Sequence, residues 1–202
     1  VNSPFLALAI AYLAGAIPFG YLLVKLRTGG DVRRSGSGNI GATNVLRAAG
    51  IVEALLTFLL DAGKGWFAVW FMDWVTGRNI GWMCAAAVAV MAGHAFSIFL
   101  RFRGGKSMAT FVGAWLYLAP LPMAAVLVLF AITVLYSRYV SLASVMAAGS
   151  FPFGIWMIDH PGAVTVAAAA VSGALVVWRH RDNLRRIRDG TETMLRLRGR
   201  PR

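Results

Sequence analysis

Gly36, Gly38 and Gly41 stand at G-x-G-x-x-G spacing within SGSGNIGATN, residues 35–44, and Asp61 follows Gly41 by 20 residues. That pattern matches a dinucleotide-binding turn, where glycines let backbone amides approach a pyrophosphate and a later acid receives a ribose hydroxyl. Two other stretches carry related groups. GHAFSIFLRFRGGKSMAT, residues 93–110, holds His94, Gly104, Gly105 and Lys106. WRHRDNLRRI, residues 178–187, holds Arg179, His180, Asp182 and Asn183. Flexible glycine backbone can turn successive N–H groups towards one oxyanion, and a helix N-terminus adds partial positive charge. Lysine supplies a point charge for phosphate, and arginine a planar two-pronged donor. The chemistry on offer is anion binding, with a histidine available for proton transfer.

The elements that must position these residues decide between the readings. Of the 202 residues, 58% are hydrophobic and 14% charged. A soluble domain carries about 25% charged residues, so this composition is that of a membrane protein. Apolar runs cover residues 4–24, 51–75, 80–100, 108–119, 123–136, 140–158 and 163–178. A membrane crossing needs roughly 20 apolar residues, fewer for a partial crossing. Pro120 and Pro122 break the long run 108–136, because each removes a helical donor and clashes with the preceding turn. With that break, Lys25, Arg27, Arg33, Arg34, Arg47, Arg101, Arg103, Lys106, Arg138 and the arginine-rich tail share one side, and only Arg78 falls in a loop on the other. The positive-inside rule then predicts an all-α integral membrane protein of seven transmembrane helices, N-terminus outside and C-terminus cytoplasmic. Trp74, Trp82 and Trp178 fall where interfacial tryptophans belong. Residues 4–24 lack a basic leader and a small-residue cleavage site, and read as a retained helix rather than a signal peptide.

No strand precedes the glycines, and Asp61 falls inside the second apolar run, so the dinucleotide reading fails. The net charge of +12 reads as loop orientation and attraction to anionic lipid, not nucleic-acid binding. The single cysteine, Cys84, offers neither a disulfide framework nor a metal cluster. Gly104-Gly105-Lys106 is only half of a Walker A loop, which leaves ATP unindicated. No acid follows His94 or His180 at H-x-x-x-x-D spacing: Phe99 and Arg185 stand there. The inner face carries no acid-rich magnesium cluster, and no metal or other cofactor is expected.

Several residues keep two readings. Asp61 and Lys64, three apart on the second helix, form a structural ion pair or touch substrate. His94 is a packed core histidine or a catalytic one. Ser141 and Ser144 open the sixth span and either cap it or aim hydroxyls at the anion site. Residues 185–202 read as orientation charge, about 1 kcal/mol per basic residue near an anionic surface.

SGNIGATN, the GH that precedes FRGGKSMAT, and RHRDN together resemble the three motifs of the bacterial PlsY family of acyl-phosphate:glycerol-3-phosphate acyltransferases. The likeness extends to DAGKG in the second helix and RYVSLAS at the sixth. Ser107 departs from the family's usual glycine after GGK, and Asp182 replaces the commoner glutamate. The resemblance implies transfer of a fatty acyl group from acyl phosphate to the 1-hydroxyl of glycerol 3-phosphate. The products would be lysophosphatidic acid and phosphate, and the site would lie on the cytoplasmic face of a bacterial inner membrane, among membrane lipids. It places Ser37, Asn39 and Arg47 in the first motif, with Gly38 and Asn44 beside them. Gly104, Gly105 and Lys106 fall in the glycerol-phosphate-binding second motif, and His180 and Asn183 in the third. On this reading Lys106, Arg179 and backbone amides hold phosphate, with Ser141 nearby. Ser37 or Asn183 meets the developing oxyanion. The proton goes to His180 or to a substrate phosphate. No base is identifiable beside Ser37, which disfavours an acyl-enzyme. Broken helices and a midplane ion pair also fit a membrane transporter or channel for phosphate-bearing anions, the alternative function.

Overall fold

The structure, a computed structural model, describes residues 3–195; Arg196, Arg198, Arg200 and Arg202 of the expected basic tail lie outside the described residues. Among those described, every regular element is helical. Helices α1 (Pro4–Ala16) and α2 (Phe19–Thr28) form one broken apolar stretch, and α3 (Ala42–Ala49) lies between it and α4 (Ile51–Thr76). There follow α5 (Ile80–Ala95), α6 (Met108–Leu118), α7 (Pro120–Ser137), α8 (Val140–Asp159), α9 (Ala163–Arg179) and α10 (Arg181–Arg188). Five stretches are long and apolar enough to cross a membrane: Pro4–Thr28, Ile51–Thr76, Ile80–Leu100, Pro120–Ser137 and Val140–Asp159. Helix α9 reaches that length only when counted together with α10, from which a 50° bend separates it.

The expected span over residues 108–119 is a shorter object. Helix α6 has 11 residues, about 16 Å of rise against a hydrocarbon core of about 30 Å. It starts late because residues 101–107 form a loop. It stops early because Ala119 precedes Pro120 and leaves the helical conformation, at φ −147° and ψ 72°, since proline disfavours the α region in the residue before it. Pro120 then opens α7, where its missing N–H would have had no partner anyway. Met108 at the start of α6, Phe130 on α7 and Val140 at the start of α8 face one cavity. Helix α7 therefore returns to the end of the bundle that α6 leaves.

Pro18 breaks the first stretch in the same way, with Ile17 extended before it. The carbonyls released there find new donors. Ser97 Oγ donates to the Ala16 carbonyl at 2.5 Å, and Lys64 Nζ to that of Ile17 at 2.8 Å. A broken helix is tolerable at membrane depth only with such partners.

Small residues bring the backbones together. A Cβ at Gly65 would lie 2.2 Å from the Thr110 carbonyl oxygen, and one at Gly113 would lie 1.8 Å from that of Ala62, so α4 and α6 pack with no space for a side chain. This is how helices associate where lipid removes the hydrophobic drive. Phe111, Trp115 and Phe151 fill the centre edge-to-face, with Phe151 5.1 Å from Phe111 and 5.0 Å from Trp115. A second, smaller cluster of Val24, Val32, Ile40, Val45, Ala54 and Leu100 seats the first glycine loop and α3 against the helix ends.

Candidate active site

Asn44 organises the first loop. Buried on α3, it donates through Nδ2 to the carbonyls of Val32, Ser35 and Asn39 at 2.9–3.1 Å, and its Oδ1 accepts from Ser37 N at 3.0 Å. The sequence reading put Asn44 on substrate, but its polar atoms are committed to the loop backbone. Gly36 and Gly38 take left-handed φ of 53° and 69°, which turns the loop sharply around it. Ser37 is exposed, and its hydroxyl has no protein partner among the described residues. Asn39 accepts from Gly41 N at 2.9 Å, and Arg47 is exposed along the same cavity.

The second loop is gripped from two sides. Gly104 N donates to the Ala95 carbonyl at 3.1 Å, and Gly105 N to that of His94 at 3.0 Å. Opposite, Arg179 Nε donates to the Gly105 carbonyl at 2.9 Å and Nη2 to that of Gly104 at 2.8 Å. Arg179, expected on phosphate, thus clamps the loop with two of its donor nitrogens. Ser107 sits at φ 62°, a conformation only glycine adopts without cost, and its hydroxyl donates to the Met91 carbonyl at 2.8 Å.

The third segment closes the site. Lys106 Nζ donates to Asn183 Oδ1. Asn183 Nδ2 donates in turn to Glu192 at 2.6 Å, and the same carboxylate receives Ser141 Oγ at 2.8 Å and Arg186 Nε at 2.7 Å. Ser141 therefore does not cap α8, and Ser144 donates to the Val140 carbonyl of its own helix at 2.9 Å. Sequence reasoning missed Glu192. The available signal was an acid two residues past Gly190, the left-handed residue just beyond α10, in a tail rich in arginine. Asp182 lies exposed, 3.3 Å from Arg185.

Charge follows from burial. Burial pushes the Lys106 ammonium down to about 8, although the Glu192 carboxylate pulls the other way. Burial and the Lys106 charge take His180 down to about 4. Its Nδ1 lies 2.8 Å from the Val176 carbonyl, so in the neutral ring Nδ1 carries the proton and Nε2 is the free acceptor. Burial would raise the Glu192 carboxyl, but hydrogen bonds from Asn183, Ser141 and Arg186 outweigh it and hold it below its usual range.

Deeper in the bundle, Lys64 Nζ and Asp61 Oδ1 are 2.7 Å apart and both residues are buried. His94 Nδ1 lies 3.5 Å from the same oxygen. Asp61 and His94 also line the inner of two cavities, of about 460 Å³, whose walls mix polar groups with Phe58, Met108 and Phe130. An outer cavity of about 520 Å³ is rimmed by Arg33, Arg34, Arg103, Arg181 and other cations, with Asp31 and Asp182 its acids. Ser37, Asn39, Lys106, Asn183 and Arg186 border both.

A bundle of apolar helices enclosing a half-apolar cavity, opened through lysine and asparagine into a basic vestibule, defines an integral membrane protein built to handle phosphate-type anions. The chain belongs to the glycerol-3-phosphate acyltransferase family, whose model matches residues 5–190. It is 42% identical to the glycerol-3-phosphate acyltransferase of Geotalea daltonii, over 92% of this chain and 94% of that one. It is 44% identical to the enzyme of Jannaschia sp., over 91% and 88%. The crystal structure of PlsY (YgiH), an integral membrane glycerol 3-phosphate acyltransferase, in its glycerol 3-phosphate form matches with a TM-score of 0.90 and 34% identity over 95% of both chains. The lysophosphatidic acid form of that protein matches with a TM-score of 0.87.

Proposed function

We propose that this acyltransferase moves a fatty acyl group from acyl phosphate to the 1-hydroxyl of glycerol 3-phosphate at the cytoplasmic face of a bacterial inner membrane. The protein crosses that membrane seven times, with α6 and α7 as a short outgoing and a full returning helix. The observation that carries the reading is the shared wall of Ser37, Lys106 and Asn183 between one cavity with apolar lining and one rimmed by arginine. An acyl phosphate fits the first and a small water-soluble phosphate the second, and both phosphates meet at Lys106.

The 1-hydroxyl oxygen attacks the acyl carbonyl carbon, the bond from that carbon to the phosphate oxygen breaks, and phosphate departs. With its basicity near 4, His180 is a poor acceptor for the hydroxyl proton. A phosphate dianion, whose conjugate acid titrates at about 6, is the stronger base within reach. The proton therefore goes to substrate phosphate, and His180 orients the acceptor through Nε2. Both ends of the Asn183 amide are occupied, whereas the Ser37 hydroxyl has no partner among the described residues, so Ser37 is the donor to the developing oxyanion. Such a contact is worth about 3 kcal/mol. The anion-transporter alternative draws no support from a site whose three loops gather at one end of the bundle.

The test is phosphate release by the purified protein supplied with palmitoyl phosphate, with and without glycerol 3-phosphate. Release that requires both, with lysophosphatidic acid as co-product, supports the reading. A folded preparation that forms no lysophosphatidic acid from acyl phosphate overturns it.

A further inference from the structure

Beneath the glycine loop lies a chain of buried polar groups that the reaction above does not use. Lys64 joins the carbonyl freed at Ile17 to Asp61, and Asp61 faces the His94 ring. His94 meets Gly105 twice. Its carbonyl accepts from Gly105 N at 3.0 Å, and its ring lies so close that a Cβ built on Gly105 would stand 2.1 Å from Nε2. The Gly104–Gly105 backbone is therefore held between the end of α5 and the Arg179 guanidinium, and Lys106 is the next residue along. A lysine on a glycine pair has little local stiffness of its own. Its ammonium nevertheless stands at one place, between two cavities and against Asn183.

We propose that His94 is a positioning residue for Lys106: its ring, packed beside Asp61, props the Gly104–Gly105 backbone against Arg179 and so sets where the ammonium stands between the two cavities. Nothing in this arrangement requires His94 to touch a substrate. The kinetic part of the test rests on the acyltransferase reading, and the labelling part does not.

The experiment uses the full chain in detergent, with each variant checked for a monodisperse peak. First, Lys106 is labelled without substrates by a water-soluble amine reagent and quantified by peptide mass spectrometry, in wild type and His94→Ala. The expected result is severalfold faster labelling of Lys106 in His94→Ala and unchanged labelling of Lys25. Unchanged Lys106 labelling in His94→Ala overturns the proposal whatever happens to activity. Second, His94→Ala, Gly105→Ala and the double variant are compared by kcat/KM for glycerol 3-phosphate. Each single change is expected to cost between about ten- and a hundredfold, the scale of a catalytic group displaced by about 1 Å. The double variant should be no worse than the weaker single, because the added methyl occupies the space the ring vacates. Multiplying losses overturn the proposal. Where His94→Ala does not fold, His94→Asn, too short to reach Gly105, gives the same comparison. A wild type that makes no lysophosphatidic acid while the labelling shifts as expected removes the acyltransferase reading and leaves the positioning role standing.

Discussion

Asn183 holds Lys106 with its amide oxygen and Glu192 with its amide nitrogen. One side chain thus fixes the amide orientation, ties the second motif to the third, and draws the segment after α10 back onto the cavity. A carboxylate that also receives Ser141 and Arg186 is the keystone of that end of the site.

Replacing Glu192 should therefore damage more than local charge. Each lost hydrogen bond to the carboxylate is worth about 1.5–3 kcal/mol, and Asn183 would be free to rotate. Glu192→Ala is expected to lower the thermal midpoint and reduce kcat/KM at least about tenfold, with Glu192→Gln intermediate. Thermal unfolding followed on the same preparations as the kinetics checks both. Wild-type midpoint and activity in Glu192→Ala would remove Glu192 from the site.

Lys106 gives the alkaline limb. Its ammonium is held down at about 8, so the charge that attracts phosphate is present below that pH and is lost as pH rises through it. The kcat/KM for glycerol 3-phosphate, which reports the free enzyme, should fall above about pH 8. Lys106→Arg keeps its charge throughout, so that limb should disappear even though overall activity drops. A pH profile of both proteins decides it.

His180 should leave no mark on the acid side. With the imidazole near 4, its protonation is complete only below the working range, and a loss of rate on acidification near pH 6 belongs to substrate phosphate. His180→Asn is expected to reduce kcat by roughly 10²-fold, the scale of a reacting group displaced by about 1 Å, without shifting that limb. An acid limb that vanishes in His180→Asn would make the imidazole the base after all.

Asp61 and Lys64 test the buried pair. Removing one partner leaves an uncompensated buried charge, at about 3–5 kcal/mol, whereas removing both is far milder. Lys64→Met alone should yield little folded protein, because the Asp61 carboxylate is left buried without its cation. The double variant Asp61→Asn, Lys64→Met should recover folded yield, measured by size-exclusion chromatography. Equal yields in single and double variants would show the pair to be dispensable.

Much of this was legible in the residues. Apolar runs located the helices, and Pro18, Pro120 and Pro122 marked where they break, because proline acts on the backbone wherever it stands. The three polar stretches were recognisable as one site from residue type and order. What residue type cannot reveal is where a donor is used. Asn44 and Arg179 look like ligand-binding groups, yet their hydrogen bonds go to loop carbonyls 5 to 75 positions away. Glu192 is the converse: an acid in a basic tail reads as surface charge until the chain folds it against Ser141, 51 residues distant. Length was not legible in one place: the apolar run 108–119 folds as an 11-residue helix, α6, with only about 16 Å of rise.

That shortness carries a consequence for the lipid substrate. Helix α6 begins at the site, and the cavity reaches Asp61, ten residues or about 15 Å along α4 from its first turn. The inner part of α6, from Thr110 to Trp115, is buried in protein. Under the proposed reaction the scissile bond is met below the headgroup plane. Lifting a fatty chain out of a membrane costs about 0.8 kcal/mol for every methylene exposed, so an enzyme that drew its donor into water would add more than ten kcal/mol to its barrier for a chain of about 16 carbons. On that reading a sunken site removes the work: the water-soluble partner would descend a short cationic shaft, and the greasy partner would stay at its own depth.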